Sequence, residues 1–251
     1  MGRVIRLHEE PFSTFEKPDL VIIPIGSVER HGNHLPLGTD TIIAQAVSER
    51  VAEKLAEKGK VVALLPPIWY GYTWSLRHMD GTVSVDPKVL ASYIEEIVTT
   101  LANPRFSRIL FINGHGGNKE VLEIAVKEAL TRLGPGVRLG FVNWWDLLSK
   151  EDYEKLFGTL PMHACEIETS IMMALNERYV DLEAIEGKVE PGKRKILKAV
   201  DEVRRTFAFG YLGDPKKADK EKGKMLLEMV AERLASKLLE ELEEAGSLEI
   251  E

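Results

Sequence analysis

The stretch that decides the fold is Leu20-Val21-Ile22-Ile23-Pro24-Ile25, which runs directly into Gly26-Ser27-Val28-Glu29-Arg30-His31-Gly32-Asn33-His34-Leu35-Pro36-Leu37-Gly38-Thr39-Asp40. The first part is apolar without alternation, the pattern of a strand covered on both faces. Working outward, Val61 to Leu65, Arg108 to Ile112 and Val137 to Val142 read as further buried strands. Between them lie helical patterns. Thr41 to Lys58 ends at Gly59, Asp86 to Leu101 opens on an Asp-Pro start, and Asn118 to Leu133 ends at Gly134. Strands alternating with helices predict an α/β fold with a mostly parallel sheet flanked by helices on both sides.

A further helix is predicted over Glu166 to Glu177, and a long, charged, amphipathic one over residues 219–245. In the latter, Met225, Leu226, Met229, Val230, Leu234 and Leu238 form a stripe for core or subunit packing. No Ser/Pro-rich linker, repeat or low-complexity tract interrupts the chain, so residues 1–251 read as a single domain.

Composition removes several classes of function. The chain has 251 residues, 44% of them hydrophobic, and 33 Lys+Arg against 40 Asp+Glu give a formal net charge of -7. That is enough chain for a sizeable core, and the acidic balance argues against a nucleic-acid or membrane partner bound through its phosphates. The single cysteine, Cys165, excludes an internal disulfide. The N-terminal twenty residues lack the apolar core of a signal peptide, and no run approaches the roughly 20 apolar residues of a membrane span. The cytoplasm is the expected location.

The six histidines carry the functional signal. Open α/β sheets bind ligands outside the carboxyl ends of their strands, and the loop after Ile25 places Glu29, His31, His34 and Asp40 within twelve residues there. Glu29 and His31 stand two apart, so an extended loop points both to one side. A mixed imidazole and carboxylate set suits zinc, manganese or iron better than calcium. The strand from Arg108 ends in Asn113-Gly114-His115-Gly116-Gly117-Asn118, which has neither the lysine of a P-loop nor the GxGxxG spacing, so His115 reads as a ligand or catalytic group.

Two more segments join these. In Met162-His163-Ala164-Cys165-Glu166-Ile167-Glu168-Thr169-Ser170, His163 and Glu166 are three apart and share a face if both are helical; the structural alternative, a helix start in which Glu168 and Thr169 cap the backbone and Glu166 is solvated, fits one carboxylate here but not easily all of them. Cys165, between Ala164 and Glu166 at a helix start, reads as packed and inert rather than nucleophilic. The segment from Trp69 to Thr82 is rich in aromatic residues and carries Ser75 and His78. It suits either a pocket wall or, equally, a packed loop or a subunit contact.

Taken together, these motifs resemble the creatininase (creatinine amidohydrolase) family. The residues that carry the resemblance are Pro24 to Gly32, His34-Leu35-Pro36-Leu37, Thr39-Asp40, Tyr70-Gly71, Ser75, His78, Gly81-Thr82, Asn113 to Asn118, His163 to Ser170 and Gly210 to Pro215. The resemblance implies one creatininase-like three-layer domain, a pair of divalent metal ions (zinc, manganese or iron) and a homohexamer. By position it implies Glu29 and His115 on one metal, His31 on the other, and Asp40 bridging. Creatininase proper has a carboxylate ligand two residues after the histidine of its Gly-His pair. Gly117 stands there in this chain, which makes Glu166 the candidate replacement. His163 matches the catalytic histidine, whereas the Trp-Asp pair that precedes it in creatininase has no counterpart, Thr159-Leu160 standing there. Ser75, His78, Trp145 and His34 are candidates to bind substrate. The implied reaction is hydrolysis of a small cyclic amide or formamide, with creatinine and a formylaminopyrimidine ribonucleotide as leading substrates. The alternative is a non-catalytic metal-binding or assembly protein on the same scaffold.

Overall fold

A computed structural model describes residues 1–192, 196 and 199–247. Five strands form one sheet: β1 (Arg3–Arg6), β2 (Leu20–Ile25), β3 (Val61–Leu64), β4 (Arg108–Asn113) and β5 (Arg138–Asn143). Their order is β1-β3-β2-β4-β5, and every pairing is parallel. The helices are α1 (Thr39–Glu57), α2 (Pro87–Leu101), α3 (Lys119–Arg132), α4 (Lys150–Phe157), α5 (Glu166–Leu175), α6 (Val200–Thr206) and α7 (Lys220–Ser247). No helix among the described residues is long and apolar enough to cross a membrane.

β2 shows why its sequence carries no alternation. Leu20 and Ile22 enter one apolar core with Ile43, Val47, Val51 and Leu55 of α1 and with Ile167, Ile171, Leu226 and Val230 of α5 and α7. Val21, Ile23 and Ile25 enter a second core with Leu90, Ile94 and Val98 of α2 and Val121, Leu122 and Ala125 of α3. The strand is thus lined on both faces, and the domain is a helix–sheet–helix sandwich. The stripe on α7 packs inward through Leu226, Val230, Leu234 and Leu238, while Met225 is exposed.

The chain order places the site. From β2 the chain goes through α1 to β3 on one side, then returns through α2 to β4 on the other side of β2. The direction of winding therefore reverses between β2 and β4, and ligand crevices form where such a reversal opens the carboxyl ends of the strands. The loops that follow these two strands hold Glu29, His31, Asp40 and His115.

Candidate metal centre

Asp40 lies in the first turn of α1 but does not cap it; Gly38 is the N-cap and makes no side-chain bond. The Asp40 carboxylate faces two imidazoles, with Oδ1 3.0 Å from His31 Nε2 and Oδ2 2.8 Å from His115 Nδ1. Ser27 Oγ donates to Oδ2 at 2.7 Å. Glu29 Oε1 stands 3.2 Å from His115 Nδ1 and 3.4 Å from His163 Nδ1. Glu168 Oε2 is 4.0 Å from His31 Nε2 and accepts the Ala164 N–H at 2.6 Å.

These atoms form two overlapping triads, Glu29–Asp40–His115 and His31–Asp40–Glu168, each within the span of one cation's ligands and sharing Asp40. A third grouping, Glu29–His31–His163, overlaps both. All three carboxylates are buried, and Glu29 Oε2 has no hydrogen-bond partner. Buried anionic oxygen without a partner is costly unless a cation satisfies it, and oxygen with imidazole nitrogen suits zinc, manganese or iron. The residues fit a pair of divalent ions.

Each imidazole is anchored on its far side by a backbone carbonyl. Nδ1 of His31 meets Glu29 O at 3.1 Å, Nε2 of His115 meets Tyr72 O at 3.1 Å, and Nε2 of His163 meets Arg30 O at 2.9 Å. A ring nitrogen that donates to a carbonyl leaves the other nitrogen's lone pair for the centre. Burial opposes charge on His31, but attraction to Asp40, its hydrogen bond and the more distant Glu168 and Glu29 outweigh this and raise its pKa to about 9. For His115, burial is likewise overcome by Glu29 and Asp40, and its pKa lies well above the usual value. Burial pushes Glu168 up to about 8 against the pull of His31. His163 moves the other way, lowered by burial and by His31. Without cations the centre therefore holds protons on His31, His115 and Glu168, while His163 is neutral at neutral pH.

A cavity of about 300 Å³ opens onto this centre. Glu29, Asp40, His115, His163 and Glu168 lie at its charged end, and Leu76, Trp144, Trp145, Met162 and Phe207 give it an apolar wall. Among the described residues lining it there is no lysine or arginine.

The structure brings together five of the residues singled out in the sequence for metal and proton chemistry, namely Glu29, His31, Asp40, His115 and His163. It does not bring in Glu166, and this corrects the sequence expectation. Glu166 Oε2 accepts the Asp214 N–H at 3.0 Å and lines a different cavity beside Lys188 and Lys217. At 3.6 residues per turn, positions two apart on a helix point to nearly opposite sides, so turning Glu168 to the centre turns Glu166 away. Ser75 and Trp145 line the cavity. His78 is exposed and does not. His34 does not either: it is buried against Thr169 Oγ1 at 3.1 Å and edge-on to Tyr211, with its pKa pushed down to about 4 by burial and by His31. Glu168 takes the place expected of Glu166, a choice that residue spacing alone did not reveal, and nothing in the sequence marked the Tyr72 carbonyl.

The sequence model for the creatininase family, described as creatinine amidohydrolase, matches residues 9–238. The chain belongs to the creatininase family. Among members of that family, the creatinine amidohydrolase of Pseudomonas putida is 27% identical over 237 residues, covering 88% of this chain and 89% of the relative. A mycofactocin precursor peptide peptidase of Mycolicibacterium smegmatis is 35% identical over 217 residues, covering 84% of this chain and 81% of the relative. A solved structure described as "Creatininase Mn" superposes with a TM-score of 0.87 at 25% identity, covering 96% of this chain and 99% of the other. The chain is thus a creatininase-family hydrolase with residues placed to bind metal.

In this creatininase-family chain the position two after His115 has no room for a carboxylate. A Cβ on Gly117 would lie 2.1 Å from Tyr72 O and 2.6 Å from His115 Nε2. Glu168, reaching in from α5, is the remaining carboxylate at the centre.

Proposed function

We propose that this protein is a binuclear metal-dependent amidohydrolase that cleaves a small cyclic amide or a formamide. The observation that carries the proposal is the pair of triads sharing Asp40 at the charged end of an aromatic-walled cavity. Glu29, Asp40 and His115 would hold one ion, and His31, Asp40 and Glu168 the other. Bound there, two divalent cations supply the Lewis-acid chemistry of amide hydrolysis, activating water and polarising the carbonyl. Trp144, Trp145 and Phe207 would exclude water and give a ring an apolar aromatic wall, and Ser75 offers a hydroxyl for orientation.

His163 handles the proton. Its Nε2 is engaged by Arg30 O, so Nδ1 faces the centre, and its lowered pKa leaves that nitrogen free to accept a proton at neutral pH. The proton then passes to the departing nitrogen, which an amide requires because its anion is a very poor leaving group. This arrangement favours catalysis over a non-catalytic metal-binding or assembly role, since such a role needs no neutral imidazole facing both the metal ligands and the cavity.

Creatinine and a formylaminopyrimidine ribonucleotide remain the two substrates to test first. The absence of lysine and arginine from the described cavity lining favours the uncharged ring of the former, because the phosphate of the latter would have to lie outside the cavity. Exposed Trp69, Tyr70 and Trp74 support a contact between copies of the chain; the homohexamer is proposed from the family resemblance, and the site of action is proposed to be the cytoplasm. The test is release of amine or formate from a panel of small amides with added manganese, zinc or iron, with size measured by light scattering. Hydrolysis that is lost in chelator and restored by metal is the expected result. Undiminished turnover by metal-free protein overturns the proposal.

A further inference from the structure

Among the three imidazoles, His115 has the most contested ring. Two carboxylates, Asp40 at 2.8 Å and Glu29 at 3.2 Å, lie on its Nδ1 side, and among the described residues its Nε2 partner is the Tyr72 carbonyl. A neutral imidazole carries one proton, and carboxylates are the stronger acceptors. If the carbonyl moves away, the proton settles on Nδ1, the nitrogen that must be bare to bind a cation. A ligating imidazole keeps one proton, and the position of this backbone oxygen favours the tautomer that holds it on Nε2 and leaves Nδ1 bare.

That oxygen belongs to a segment held by a residue whose side-chain hydrogen bonds go to none of the candidate ligands. Asn118 is fully buried. Its Oδ1 accepts the Tyr72 N–H at 3.0 Å, and its Nδ2 donates to Gly26 O at 2.9 Å and, more weakly, to Asn113 Oδ1 at 3.4 Å. The carboxamide thus pins the Tyr72 segment to the carboxyl end of β2. The neighbouring Gly71 makes this approach possible, because a Cβ there would lie 2.5 Å from both Asn118 Oδ1 and Gly26 O. Asn113 meanwhile clamps the His115 backbone, accepting its N–H at 3.0 Å and donating to its carbonyl at 2.8 Å. The backbone is fixed by one asparagine and the ring by the other.

We propose that Asn118 is a positioning residue that sets the tautomer of His115, acting through the Tyr72 carbonyl, with Gly71 as the residue that lets it approach. This rests on the reading of His115 as a metal ligand. Loss of an outer-shell partner of this kind typically costs 10- to 100-fold in metal affinity.

The experiment compares wild type, Asn118→Ala and Gly71→Ala. Zinc affinity is measured by chelator competition, and the zinc-loaded proteins are followed by long-range proton–nitrogen NMR of the histidine rings. Wild type is expected to show His115 bound through Nδ1, with a slowly exchanging Nε2 proton. Both variants should lose zinc affinity by roughly 10- to 100-fold and expose that proton to exchange. Should Asn118→Ala not fold, Gly71→Ala, which adds one methyl and removes no hydrogen-bonding group, carries the same prediction. Wild-type affinity in the variants overturns the proposal, and so does weaker binding with an unchanged ring proton, which marks a merely structural role. Failure of the wild type itself to bind zinc, manganese or iron overturns the metal centre, and is thereby distinguished from failure of this inference alone.

Discussion

Glu168→Gln should convert a centre for two ions into a centre for one. The substitution leaves the triad Glu29–Asp40–His115 whole and reduces the other to His31 and Asp40. Loss of an outer-shell partner already costs up to about 100-fold in metal affinity, so losing a charged ligand should cost more, or upward of roughly 3 kcal/mol at 1.4 kcal/mol per tenfold. The fold should survive. Gln retains an oxygen to accept the Ala164 N–H, now bonded at 2.6 Å. Since burial lifts the Glu168 pKa to about 8, the metal-free protein at pH 7 already holds that group largely protonated, and the amide resembles it. The assay is metal content by elemental analysis after gel filtration at low free metal, paired with the melting temperature of the metal-free proteins. Wild type should retain two ions per chain and Glu168→Gln one, with little change in metal-free melting. Glu166→Gln should retain two, because that side chain bonds the Asp214 N–H on the far side of the helix. If Glu166→Gln drops to one ion while Glu168→Gln keeps two, the assignment of the α5 carboxylate is wrong.

Three further outcomes follow from the same geometry. The metal-free protein should lose stability between pH 7 and 9.5. The folded-state pKa values of His31 (about 9) and Glu168 (about 8) are raised, so their contributions are complete at low pH and vanish as pH rises through those values, whereas the lowered pKa values of His34 and His163 act only below this window. Melting curves with and without chelator check this, and a flat or rising melting temperature for metal-free protein contradicts it. Cys165 should resist thiol reagents in native protein at pH 8 and react only on unfolding, because it is fully buried and its pKa is pushed up to about 12 by burial and by Glu168. Trp145→Ala should raise KM for a ring substrate roughly 2- to 10-fold and leave kcat nearly unchanged, since the indole lines the cavity wall and belongs to none of the candidate ligand groups; an equal fall in kcat would place it in the chemistry instead.

How much of this could be read from the sequence depended on whether a feature was local. β2 was legible because its run lies between two cores and needs apolar residues on both faces. β1 was not, since Arg3-Val4-Ile5-Arg6 is a short edge strand in which only Ile5 is buried. α6 buries no residue and left no apolar period to detect. α4 did carry a local signal, a Ser149–Asp152 capping box and a left-handed Gly158 after its last turn, but its apolar face was too short to stand out. In the site, Glu29, His31 and Asp40 share one loop and could be grouped by spacing alone. The choice between Glu166 and Glu168 depended on the rotational phase of α5, and that is set by a backbone turn at Ala164, whose φ of 50° is unusual for a residue with a side chain. Nothing about alanine announces such a conformation.

The glycines after β4 show how the sheet end becomes a metal site. Read alone, Gly114 and Gly117 say only that something comes close to the strand end. The structure identifies what comes close in each case. A Cβ on Gly114 would lie 2.1 Å from the carbonyl oxygen of Asp40, so glycine is what allows the first turn of α1 to rest directly on the end of β4. That contact carries the Asp40 carboxylate to a point between His31, which follows β2, and His115, which follows β4. Without it the two triads would have no shared member. At Gly117 the approaching atom is the Tyr72 carbonyl, and the same segment that orients His115 fills the space a carboxylate at position 117 would need. Glu168 is therefore coupled to the Gly-Gly pair by sterics: a chain that brings the Tyr72 carbonyl this close to His115 has no room for a carboxylate at position 117, and the carboxylate that stands at the centre comes from α5.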